Sequence, residues 1–167
     1  RQRQMCIRDR DNIMIETMQW VRPEEIEARS MAIIEAEMPE GNWTPGELVV
    51  VKRCIHTAAD FDYASNLYFS DGAVELAVNL MKSGRGFTIV TDTNMALAGV
   101  NKAALKQLNG TVRCFMADPD VAAEAKERGV TRAIVSMERA ATLAGPVIFA
   151  IGNAPTALIR LYEICLL

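Results

Sequence analysis

Histidine is almost absent from this sequence: one residue, His56, in 167. A lone imidazole excludes the histidine-rich sets that hold catalytic zinc, so no metal site is expected. Cysteine is sparse too. Cys6, Cys54, Cys114 and Cys165 show no CxxC spacing and are too few to staple a secreted scaffold, so reduced thiols in a cytoplasmic protein are expected. No apolar run approaches the roughly 18 residues of a membrane span, and the basic start lacks the apolar stretch of a secretory signal. Excess positive charge is also missing. A formal net charge of -3 argues against a general nucleic-acid binder and requires that any anionic ligand be met by individually placed arginines. Nor is there a GxxxxGK[ST] phosphate loop; GRG at 84–86 precedes an apolar run and reads as a helix stop.

What is present is half hydrophobic and 23% charged, the balance of one globular domain. That domain is expected over residues 11–164 and to be incomplete at its C-terminal side. Residues 1–10 and 165–167 are set aside as assembly scars. The transposon-library adapter ATGTGTATAAGAGACAG translates as Met-Cys-Ile-Arg-Asp, matching Met5 onward, and its reverse complement contains codons for the final Cys-Leu-Leu.

Along the chain, Pro23 followed by EEIEARSMAIIEAEM places Ile26, Ser30, Ile33, Ile34 and Met38 at helical spacing, with acids in the first turn. In TPGELVVVKRCIHTAAD the Val49–Val51 run suggests a strand, but Thr44 and Glu47 have capping-box spacing and Pro45 suits a first helical position. A helix is therefore expected, with His56 near its end. Ser70 is expected to cap a helix running to Gly84. FTIVTD, VRCFMAD and PVIFAIGN read as buried parallel strands, separated by helices in NKAALKQL, PDVAAEAKERG (capped by Asp118) and TRAIVSMERAATL, and followed by one in APTALIRLYEI. The alternation predicts an α/β fold with helices on both faces of a parallel sheet, and places TDTN (91–94), Ala117–Asp118 and GNAP (152–155) along its ligand-binding rim.

Two readings of His56 follow from its neighbours. A lone histidine at a helix end is ordinarily structural. Asp60 or Asp62 could instead hold one ring nitrogen and leave the other to transfer a proton. TDTN has four polar side chains in succession at a strand end, more than a connection requires, whereas GNAPT is also ordinary turn chemistry. Arg132 and Arg139 could clamp carboxylates or simply be solvated.

Together, PEEIEARSMAIIEAE, VKRCIHTAADFDYASNLYFS, TDTNMALAGVNK, RCFMADPDVAAEAKERGVTRA and VIFAIGNAPTALIRLYE resemble the precorrin-8 methylmutase family of cobalamin biosynthesis. The resemblance implies a flavodoxin-like three-layer α/β/α fold, a homodimer, and an isomerase that moves a methyl group from C-11 to C-12 of precorrin-8X or cobalt-precorrin-8. It implies no cofactor beyond any cobalt the substrate carries. It assigns His56 as the proton donor and Ser30, Thr91, Asp92, Thr93, Asn94, Arg132 and Asn153 as substrate contacts. HTAADFDYA and TDTNM are more similar to cobalt-pathway members. The alternative is a corrinoid-binding carrier without turnover; a flavin or nucleotide binder would want a phosphate loop.

Overall fold

A computed structural model describes residues 21–166, so the suspected scar at 1–10, Cys6 within it, and Leu167 lie outside the described residues. Two compact units divide the chain, one ending at Phe69 and the other beginning at Ser70.

The first unit is helical. Helix α1 spans Pro23–Glu37, with Pro23 in its first turn and Glu24 and Glu25 at the positive end of its dipole. Helix α2, Pro45–Ala58, settles the ambiguity of the valine run. Thr44 Oγ1 accepts from Glu47 N at 3.3 Å while Glu47 Oε2 accepts from Thr44 N at 2.8 Å, which closes the capping box and commits the segment to helix. The helix stops where Ala59 turns left-handed at φ 53° and its N–H returns to Ile55 O. A short helix α3, Tyr63–Asn66, follows. Ile34, Val51, Ile55 and Ala64 are buried among Met31, Met38, Trp43, Phe61, Leu67 and Phe69.

The second unit is α/β. Helix α4 covers Ala73–Lys82; its N-cap is Gly72 at φ 67°, not Ser70, whose carbonyl instead accepts from Ala73 N in the preceding turn. Strand β1, Phe87–Thr91, is central, with β2 (Gly110–Arg113) and β3 (Val147–Ala150) parallel on either side in the order β2-β1-β3. Thr88 registers with Thr111 and Val147, and Val90 with Arg113 and Phe149. The second strand thus starts earlier than VRCFMAD suggested and ends before Cys114. This order matches the first three strands of a flavodoxin-like sheet.

Period-two alternation sends Val90 and Phe149 to one face, where they pack with Val121 and Ala125 of α7 (Pro119–Arg128), Ala133, Val135, Met137 and Ala140 of α8 (Arg132–Ala141) and Ala157 of α9 (Pro155–Cys165). Cys165 thus belongs to the last helix. On the other face Phe87 meets Leu105 of α6 (Lys102–Gln107) across Gly110, where an added Cβ would lie 2.6 Å from each side chain. Helices therefore lie on both faces. Asp118 occupies the N-cap of α7 without a side-chain bond, and Asp120 Oδ1 accepts from Val121 N instead. An ion-pair lattice ties α7, α8 and α9 together: Arg128 to Glu124 and Glu138, Arg139 to Asp120 and Glu124, and Arg160 to Glu138 and Glu163.

Candidate active site

In the first unit α1 and α2 bring together two residues 26 positions apart: Ser30 Oγ lies 2.7 Å from His56 Nδ1. Neither aspartate performs that task. Asp60 Oδ1 accepts from Asp62 N and stabilises the turn after α2, because the left-handed Ala59 ends the helix before either carboxylate can come back over the ring. The other imidazole nitrogen, Nε2, has no hydrogen bond among the described residues. Both side chains line a cavity of about 320 Å³ whose remaining wall is Arg29 and an apolar set including Ile26, Ile33, Ile34, Ile55 and Phe61. The apolar stripe of α1 is only partly buried. Ile34 is buried, but Ile26 and Ile33 are 55% and 46% exposed and border the cavity.

A serine hydroxyl both donates and accepts, so Ser30 can donate to Nδ1 of a neutral ring that carries its proton on Nε2. It can equally accept from Nδ1–H of an imidazolium. The pair therefore tolerates either protonation state without moving, and the unbonded Nε2 is the atom through which a proton can pass to a bound molecule.

In the second unit the expected rim residues gather around the ends of β1 and β3. Asp92, 1% exposed, accepts through Oδ2 from the N–H groups of Gly152 (3.2 Å), Asn153 (2.7 Å) and Ala154 (2.7 Å). Burial pushes its carboxyl up. The three backbone donors of Ala154, Asn153 and Gly152 outweigh that and hold it below the ordinary aspartate value. Its Oδ1 is buried with no hydrogen-bond partner among the described residues. Thr91, also 1% exposed, donates from Oγ1 to Thr93 O, and Thr93 Oγ1 accepts from Ala96 N as the N-cap of α5, Asn94–Gly99. Asn94 and Asn153 are exposed. Arg132, exposed at the start of α8, reaches from Nη1 to Met116 O after β2 at 3.4 Å. Arg139 is no free clamp: Asp120 and Glu124 neutralise it.

The sequence reading missed Arg29. The signal was available, since Ile26, Arg29, Ser30 and Ile33 follow i, i+3, i+4, i+7 spacing and so share one helix face. Among the described residues no cluster of histidine, cysteine and carboxylates could hold a metal ion.

A family profile described as precorrin-8X methylmutase matches residues 25–166. The chain belongs to that family. It is 36% identical over 144 residues to a cobalt-precorrin-8 methylmutase of Priestia megaterium, covering 86% of this chain and 63% of that protein. It is 38% identical over 148 residues to one of Salmonella typhimurium, covering 85% and 70%. The solved precorrin-8X methylmutase of Thermus thermophilus superposes with a TM-score of 0.76 at 35% identity, over 85% of this chain and 68% of that one. The chain thus spans between 63% and 70% of the length of these relatives.

Proposed function

We propose that this chain carries the proton-transfer centre of an isomerase that converts precorrin-8X or cobalt-precorrin-8 by moving a methyl group from C-11 to C-12. The observation that supports it is the Ser30–His56 pair at 2.7 Å, with Nε2 unbonded, on an otherwise largely apolar cavity wall. His56 gives the Nε2 proton to a ring nitrogen of the substrate. The C-11–methyl σ bond then breaks as the C-12–methyl σ bond forms, the intervening π bonds of the ring shift in step so that no electrons are gained or lost, and the proton returns to His56. The net change is an isomerisation.

Such a shift needs a proton donor and a surface that favours the rearranged π-system, which the apolar walls can supply. A cavity of about 320 Å³ lies near the lower end of the range for ligand pockets, so it seats one edge of a macrocycle. Ser30 acts here through His56. Thr93, Asn94, Arg132 and Asn153 are assigned to substrate contact, and Thr91 and Asp92, both buried, to holding the loops that present them. A homodimer in the cytoplasm completes the reading, and sedimentation velocity tests the oligomeric state.

The experiment is turnover of both metal-free and cobalt-loaded substrate, followed by the visible spectrum, with product mass equal to substrate mass. His56→Ala should slow the reaction by about 10²- to 10⁴-fold, or roughly 3–5 kcal/mol of barrier, with the fold retained. An undiminished rate would remove His56 from the mechanism. Tight binding of the tetrapyrrole by the wild-type chain without isomerisation would replace the enzyme with a carrier.

A further inference from the structure

We propose that Arg29 is the carboxylate anchor of the cavity beside His56, selecting ligands with a π-conjugated body and an acid group at its edge. The inference rests on the functional reading above and adds the feature that sets orientation in the same cavity. Helix α1 presents Arg29 and Ser30 in succession, and both line the cavity. Among the described residues Arg29 makes no hydrogen bond or ion pair.

That vacancy is not for want of an acid. Glu25 lies four residues earlier on the same helix, in the acid-first order that favours an i,i+4 pair, yet no pair forms. Nearby cations behave otherwise. Lys52 and Arg53 of α2, which do not line this cavity, pair with Glu35 at 3.4 Å and Glu27 at 2.8 Å on α1. Of these three cations, the one without an acidic partner among the described residues is Arg29, beside the proton-transfer pair.

An arginine beside apolar walls binds a carboxylate with two parallel N–H···O bonds, which fix the plane of the acid as well as its position. The isoleucine walls take an apolar ring edge, Nε2 of His56 faces a basic atom of that ring, and Arg29 takes a peripheral acid arm. A ligand of the same ring but with amides in place of acids would lose the anchor. Because the contact is present in ground and transition states alike, Arg29 sets affinity and orientation and leaves the proton transfer to His56.

The test titrates hydrogenobyrinate, the metal-free product of the proposed reaction, into the full chain as wild type, Arg29→Gln, Arg29→Lys and the surface control Lys82→Gln, with circular dichroism confirming each fold. Arg29→Gln should weaken binding about 10- to 100-fold, the range for a lost charge-assisted pair. Arg29→Lys should recover part of that affinity and Lys82→Gln should match wild type. Added salt should weaken the wild type more than Arg29→Gln. In turnover KM should rise with kcat nearly unchanged. Wild-type binding that survives Arg29→Gln, or falls equally in Lys82→Gln, overturns the anchor alone. A wild-type chain that binds no hydrogenobyrinate overturns the functional reading beneath it.

Discussion

Replacing Asp92 should damage the second unit more than its single side chain suggests. Its Oδ2 accepts from Gly152, Asn153 and Ala154, two of these bonds at 2.7 Å, and the residue is 1% exposed. Hydrogen bonds to a charged acceptor contribute about 1.5–3 kcal/mol against about 0.5–1.5 kcal/mol for neutral ones. Asp92→Asn preserves shape but makes all three bonds neutral and relieves the burial of charge, so the net loss should be about 1–3 kcal/mol. Asp92→Ala leaves three backbone N–H groups without their acceptor and should lose about 3–6 kcal/mol, a large part of the 5–15 kcal/mol of an ordinary domain. Urea unfolding followed by circular dichroism measures both.

Acid supplies an internal check. The Asp92 carboxyl is held below its ordinary value in the folded state. Its contribution is therefore present above the unfolded aspartate pKa of about 3.9 and is lost as the pH falls through the lower folded value. The gap between wild type and Asp92→Asn should be widest near neutrality and close on acidification below about 4. An alanine variant within 0.5 kcal/mol of wild type, or a gap that grows in acid, would refute the reasoning.

Glu138 bridges Arg128 and Arg160, and the Arg128 guanidinium in particular holds its carboxyl below the ordinary glutamate value. Glu138→Gln should lose about 1 kcal/mol at neutral pH, less in high salt and little below about pH 4, as thermal melts across pH would show. Thr44→Ala opens the capping box of α2 and should cost about 0.5–2 kcal/mol, read as a lower urea midpoint for the first unit with little effect on the second. Gly110→Ala drives a methyl group against Leu105 and Phe87 and should destabilise the second unit by about 1–3 kcal/mol in the same assay.

What was legible in the sequence was what depends on near neighbours. The capping box at Thr44 and Glu47 overrode the strand-like Val49–Val51, and apolar runs located β1 and β3 but caught only the last two residues of β2. Errors arose where a nearby polar group could stand in for the expected one. Gly72 replaced Ser70 at one helix start, Asp120 did the bonding expected of Asp118, and Thr93 capped a helix inside a stretch read as loop. The site depends on longer reach. Ser30 and His56 are 26 residues apart and Asp92 and Asn153 are 61 apart, separations at which spacing rules carry no information. Asp60 and Asp62 looked better partners for His56 only because they were close in sequence.

The acceptor that gathers the N–H groups of residues 152–154 has a further consequence. In many open α/β sheets the amides at a strand-to-helix turn of this kind receive the phosphate of a nucleotide or flavin. Here the start of α9 already holds a fixed negative charge of its own, so an incoming phosphate would meet repulsion and find those donors taken. The scaffold is closed at that point to the cofactors its strand order commonly serves, and one aspartate closes it.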